Sequence, residues 1–87
     1  MMNRENAGDA VFTGNSWQED MVRCVNLIPK DEFSLEDVYA FEEALAQAYP
    51  NNFHIRDKVR QQLQVMRDNG LISFLGGGMY RKGSADR

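Results

Sequence analysis

The sequence predicts a small α+β domain in which three helices precede a two-stranded β-hairpin. Apolar residues recur at helical spacing in three segments, and capping or breaking residues mark the ends of those segments. The chain then closes with two short β-type runs around three glycines. With 87 residues it forms one domain at most. Its core must be modest, since a domain this small buries only about 60% of its unfolded surface.

The first helix is predicted to begin after Ser16, which has the spacing of a capping box with Glu19. Pro29 ends this helix. Its apolar stripe contains Trp17, Met21, Cys24, Val25 and Ile28. We expect Trp17 to pack in the core rather than stack on a base, and Cys24 to be a small buried hydrophobe.

A short extended piece at Glu32 and Phe33 precedes the second helix, which Ser34 caps and Pro50 ends. The inner face of this helix is formed by Leu35, Val38, Phe41, Leu45, Ala48 and Tyr49. Its outer face is acidic and carries Glu36, Asp37, Glu42 and Glu43. Such a face serves solubility or docks another domain, and we favour solubility.

The third helix is predicted from about His54 to Asn69, and Gly70 supplies its C-terminal stop. Its packed side contains Ile55, Val59 and Met66, with Gln62 and Leu63 at the edges. Phe53, just before this helix, has the position of a hydrophobic staple. A turn at residues 50–52 separates the second and third helices.

The hairpin comprises a strand at residues 71–75, a turn at residues 76–78 and a return strand at residues 79–82. Helix, short strand, helix, turn, helix and hairpin is the order of a small winged helix-turn-helix, whose third helix enters the DNA major groove. We expect residues 1–15 to be a disordered tail or the end of a linker, residues 16–82 to be the domain, and residues 83–87 to be a polar tail.

The charge is divided unevenly along the chain. Residues 1–50 carry three basic and ten acidic side chains, whereas residues 51–87 carry seven basic and three acidic ones. The net charge of −3 therefore conceals a basic second half, which favours one polyanion-facing surface on an acidic body. Uneven scatter of solvated charges would give the same counts.

Ten residues are the candidate DNA contacts, and they belong to the third helix, the turn before it and the return strand. They are Asn51, Asn52, His54, Arg56, Lys58, Arg60, Gln61, Gln64, Arg81 and Lys82. We expect base contacts from Asn52, His54, Arg56 and Gln61, since amides pair with adenine and Arg with guanine. Phosphate contacts are expected from Lys58, Arg60, Arg81 and Lys82.

Several other functions are disfavoured by the residues present. One Cys and one His cannot build a zinc site, so we expect no metal and no cofactor. The sequence has no cluster of carboxylates and no nucleophile–base pair, so it does not predict an enzyme. No apolar run approaches the ~20 residues of a membrane span, and the N-terminus lacks a signal-peptide pattern. We therefore expect a cytoplasmic, non-catalytic protein.

Residues 33–82 resemble a known family. The similarity lies in the segments FSLEDVY (33–39), YPNN (49–52), KVRQQLQ (58–64), RDNGLI (67–72) and FLGGGMY (74–80). They resemble the C-terminal winged-helix domain of Dam-replacing proteins and of DpnI-type, adenine-methylation-dependent restriction endonucleases. The resemblance implies binding of double-stranded DNA, with adenine-methylated GATC-like sites as candidate targets. It also implies a separate N-terminal nuclease domain, which we do not expect within these 87 residues.

The leading hypothesis is therefore a module that binds double-stranded DNA, either linked to a nuclease domain or acting alone. The alternative is a winged helix that binds a protein partner through its acidic face. Both hypotheses depend on which surface is open to solvent.

Overall fold

The computed structural model describes residues 12–83. Within this range four helices and three strands follow in the order α1 (Trp17–Leu27), β1 (Glu32–Ser34), α2 (Leu35–Tyr39), α3 (Glu42–Ala48), α4 (Ile55–Asp68), β2 (Ile72–Gly76) and β3 (Met79–Lys82). This order confirms the predicted α+β winged helix-turn-helix class. The helix that would enter the major groove is α4.

The second helix differs from its prediction, because the structure divides it into α2 and α3. The backbone leaves the helical conformation at Phe41, which has φ −94° and ψ 7°. Phe41 packs edge-to-face on Phe12, with ring centroids 6.1 Å apart. No glycine or proline marks this break, and the apolar spacing fits either a broken or a continuous helix.

Side chains cap the first two helices as the sequence indicates. Ser16 Oγ accepts a hydrogen bond from the Glu19 N–H at 3.2 Å, which is the hydroxyl half of the predicted box. Ser34 and Asp37 form a complete capping box, with reciprocal hydrogen bonds of 3.0 and 2.9 Å. These contacts satisfy backbone donors that a helix leaves unpaired at its N-terminus.

The core lies between α1, α4 and the sheet. Its fully buried side chains include Met21, Cys24, Phe33, Val38, Leu45 and Leu63. Burial of Cys24 confirms its prediction and raises the pKa of its thiol to about 12. Trp17 is half-buried and stacks on Tyr49 at 4.1 Å between ring centroids, so it packs within the fold.

The prediction that Phe53 is a hydrophobic staple is wrong. Phe53 is 86% exposed. A staple needs an apolar partner at the fourth helical position, and that position in α4 is Lys58. Phe53 is therefore left on the surface.

The three strands form one antiparallel sheet in the order β1-β3-β2. Phe33 and Phe74 both pair with Tyr80, and their rings lie 5.5 and 5.4 Å from the Tyr80 ring. Gly77 and Gly78 make the hairpin turn at φ 59° and 78°, a conformation that favours glycine at both positions. The Leu35 N–H donates to the Gly78 carbonyl at 2.9 Å, which anchors the turn to the start of α2.

The packed structure begins before the predicted boundary at Ser16. Phe12 is buried, and the backbone N–H groups of Thr13 and Gly14 donate to Asp20 at 2.8 and 2.9 Å. A Cβ on Gly14 would lie 2.5 Å from the Ala48 carbonyl oxygen, so the chain passes α3 where a side chain would not fit. The rest of the predicted N-terminal tail, residues 1–11, and residues 84–87 lie outside the described residues.

Candidate nucleic-acid interface

The face of α4 opposite the core is open to solvent. Ile55, Val59, Leu63 and Met66 are buried on one side of the helix. Asp57, Arg60, Gln61, Gln64 and Asp68 are exposed on the other. This division follows the 3.6-residue period, and three of the predicted contact residues, Arg60, Gln61 and Gln64, lie on the exposed side.

A shallow concavity at the start of α4 brings several predicted residues together. It has a volume of about 450 Å³ and is lined by Asn52, His54, Asp57, Lys58 and Gln61. Asn52 Oδ1 accepts a 2.8 Å hydrogen bond from the His54 N–H, which fixes the turn before the helix. Three predicted base-contacting residues and one predicted phosphate contact thus share one surface.

A second concavity, of about 520 Å³, lies between α4 and the hairpin. It is lined by Asp57, Arg60, Gln61, Leu63, Gln64, Arg67, Phe74 and Tyr80. Arg67, Phe74 and Tyr80 were not among the predicted site residues. The seven-residue spacing of Arg60 and Arg67 places them on one flank of a helix, a signal that could have identified Arg67. The positions of Phe74 and Tyr80 depend on strand pairing.

Arg56 is held at the surface by contacts with α2 and α3. Its Nε donates to Glu42 Oε1 at 2.9 Å, and its guanidinium carbon lies 4.4 Å from the centre of the Tyr39 ring. The Glu42 carboxylate raises the pKa of Arg56 through this hydrogen bond. A base contact by Arg56 would use its Nη groups unless the hydrogen bond from Nε to Glu42 breaks.

Arg60 is exposed and has an acidic neighbour on its own helix. Its Nη2 donates to Asp57 Oδ1 at 2.7 Å, three residues earlier. Both side chains are more than half exposed, so the ion pair is weak and can exchange for a phosphate. Asp57 therefore orients Arg60 and reduces its effective charge.

The two predicted cations of β3 do not join the α4 surface. Arg81 alternates with Tyr80 along the strand, so it points away from the face that lines the groove, and its Nη2 donates to Glu32 Oε2 at 2.8 Å. Lys82 Nζ donates to the carbonyl of Ile28 at the end of α1. Both side chains thus have partners within the fold.

A family model described as the Dam-replacing HTH domain matches residues 14–82, which is most of the chain. The chain belongs to the Dam-replacing helix-turn-helix family. A helix-turn-helix family indicates DNA as the partner, and domains of this type are typically non-catalytic. The match includes α1 to β3 and begins close to the packed segment at Phe12.

The Dam-replacing domain also carries the predicted acidic face, and half of that face has local partners. Asp37 caps α2 and pairs with Lys30 at 2.8 Å, and Glu42 pairs with Arg56. The Lys30 hydrogen bond, helped by Ser34, lowers the pKa of Asp37. Glu36 and Glu43 are exposed.

Two predicted contacts of the Dam-replacing domain remain. Asn51 is exposed in the turn before α4 but lines neither of these two concavities, whereas Gln64 is exposed and lines the groove between α4 and the hairpin. Among residues 12–83 no group of His, Cys, Asp or Glu side chains could hold a metal ion. No helix in the same range is long and apolar enough to cross a membrane.

Proposed function

We propose that this domain binds double-stranded DNA with α4 in the major groove and contacts base edges from the start of that helix. The observation that carries the proposal is the open concavity shared by Asn52, His54, Lys58 and Gln61. Asn and Gln amides can form paired hydrogen bonds with adenine, and the N-terminal part of a recognition helix contacts base edges.

Phosphate contacts come from Lys58, Arg60 and Arg67 in this proposal. Lys58 lies beside the amides, whereas Arg60 and Arg67 line the groove between α4 and the hairpin. This groove has the position at which a DNA strand would pass between the recognition helix and the wing. Such contacts add affinity without sequence information, and they make affinity fall with salt.

The proposed target is a specific site of the adenine-methylated GATC type, and the proposed role is recognition within a restriction-type protein. A nuclease domain linked to this module would be delivered to the site. Support comes from the family match and from side chains suited to adenine in the concavity. The N6 group of adenine lies in the major groove, where α4 would meet it.

Selection from a random duplex pool, once with and once without adenine methylation, identifies the preferred site. We expect one enriched site, with tighter binding to its methylated form. Fluorescence anisotropy then measures the affinity of Gln61→Ala and of Lys58→Ala for the selected site and for a scrambled duplex. The first variant should lose affinity for the selected site alone, whereas the second should lose affinity for both duplexes.

Gln47→Ala is the matched control, because Gln47 is an exposed glutamine on α3, outside both concavities. It should leave binding unchanged. No binding to any duplex at high micromolar protein would overturn the proposal and favour protein docking through the acidic face. Equal losses for Gln61→Ala on both duplexes would refute its role in base contact.

A further inference from the structure

Phe53 is the most exposed large apolar side chain among residues 12–83. It is 86% exposed, whereas the next, Phe74, is 48% exposed. A single exposed apolar residue is common on protein surfaces and by itself needs no explanation. Phe53, however, directly precedes the N-terminal end of α4, which is the end that would enter the major groove. This position gives its exposure a functional meaning.

The turn that carries Phe53 is fixed on both sides. The Asn52 N–H donates to the Tyr49 carbonyl at 3.0 Å, and Asn52 Oδ1 accepts from the His54 N–H. Phe53 and His54 also line a shallow depression of about 460 Å³ with Pro50 and the residues around it. The ring is therefore held outward on a constrained turn, next to the amide of Asn52.

We propose that Phe53 contacts the 5-methyl group of a thymine in the major groove and thereby contributes to site specificity. This inference rests on the proposed function. Thymine is the only unmodified DNA base that presents a methyl group there, and apolar side chains recognise it by contact. The neighbouring Asn52 amide suits adenine, so a ring and an amide side by side match sites that contain A·T pairs.

The test replaces each thymine of the selected duplex, one at a time, by deoxyuridine, which removes the methyl group and leaves the base pairing intact. The wild-type domain should bind about fourfold more weakly when the contacted thymine is replaced, the effect of one buried methyl group. Phe53→Ala should bind the thymine and deoxyuridine duplexes equally. Phe53→Leu keeps an apolar side chain and should retain part of the difference.

Phe74→Ala is the control for removal of an exposed phenylalanine elsewhere. It should keep the full deoxyuridine effect, whatever it does to overall affinity. Phe53→Ala should unfold at the same urea concentration as the wild type, because the ring is almost fully exposed.

The outcomes separate this inference from the proposed function. A wild-type domain that binds its site but tolerates every deoxyuridine would overturn the inference alone. The same conclusion would follow if Phe53→Ala kept the deoxyuridine effect, or if the selected site contained no thymine. A wild-type domain that binds no duplex would overturn both.

Discussion

Tyr49 Oη donates a 2.6 Å hydrogen bond to Oδ2 of Asp20, a residue with no exposed surface. This contact joins the end of α3 to the first turn of α1. Trp17 stacks on the Tyr49 ring. The backbone of Thr13 and Gly14 completes the surroundings of the carboxylate. Since Tyr49 directly precedes the turn before α4, the Asp20 carboxylate fixes where that turn begins.

Replacement of Asp20 by Asn should destabilise the fold. Asn keeps one oxygen but has an NH₂ group in place of the other. The NH₂ group cannot accept a hydrogen bond, so the buried donors on that side would lose their partner. We expect the free energy of unfolding to fall by about 2 kcal/mol, measured by urea denaturation at pH 7. Asp31→Asn is the control, because that side chain is exposed. A change of similar size in the control would show that the charge, rather than the buried contacts, matters.

The same carboxylate makes stability depend on pH. Burial alone would raise the pKa of Asp20, but hydrogen bonds from Tyr49, Thr13 and Gly14 outweigh it and hold the pKa below 3.8. The stabilisation is therefore fully present above about pH 5 and is lost as pH falls below about 4, where the unfolded chain takes up the proton first. The stability difference between wild type and Asp20→Asn should shrink over this range. A difference that stayed constant down to pH 2.5 would contradict the assignment.

Arg56→Ala should affect stability more than base selectivity. Arg56 joins α4 to α3 through Glu42 and to α2 through the Tyr39 ring, so its loss removes an ion pair and a cation–π contact. We expect a lower midpoint of urea unfolding, with a smaller shift than for Asp20→Asn. Affinity for the selected and scrambled duplexes should fall by similar factors. A loss confined to the selected duplex would show that Arg56 contacts a base.

Asp57→Asn should strengthen DNA binding. The substitution removes a negative charge from the proposed contact face and releases Arg60 from its 2.7 Å ion pair. Affinity should rise roughly twofold to fivefold, and the slope of log K against log salt should steepen by about one. Asp68→Asn, on the same face but at the far end of α4, should have a smaller effect. Weaker binding by Asp57→Asn would indicate that this carboxylate accepts a hydrogen bond from cytosine.

Lys82→Met should leave the salt dependence of DNA binding unchanged. Lys82 Nζ donates to the Ile28 carbonyl, so it serves the end of α1. The variant should lose about 1 kcal/mol of stability, because one carbonyl loses its donor. Lys58→Met is the matched control and should lower the salt slope by about one. A similar decrease of the salt slope for Lys82→Met would show that Lys82 contacts a phosphate, as the sequence predicted.

The order of the elements was predictable because local signals mark their ends. Ser16 and Ser34 cap helices, Pro29 and Pro50 stop them, and Gly70, with φ 80°, ends α4. Each signal acts within four residues of its own position, so a single sequence contains it. The open face of α4 was predictable for the same reason, since it follows from helical period alone.

The departures from prediction depend on contacts between distant residues. Asp20 and Tyr49 are 29 positions apart, so the packing of the segment before α1 has no local pattern. Arg56 finds Glu42 fourteen residues away, which removes it from the group of free cations. For Phe53 the local pattern itself was misleading. Its position before the helix predicted a hydrophobic staple, but the fourth residue of α4 is the polar Lys58, which offers no apolar partner.

Titration of ¹⁵N-labelled protein with the selected duplex tests most directly whether α4 and the turn before it form the DNA-binding surface. Amide chemical shifts should change at residues 51–54, at Gln61 and Gln64, and along the groove at Arg67. The exposed acidic positions, Glu36 and Glu43, should stay unchanged. Shifts centred on those acidic positions, or no shifts at millimolar duplex, would contradict DNA binding through α4.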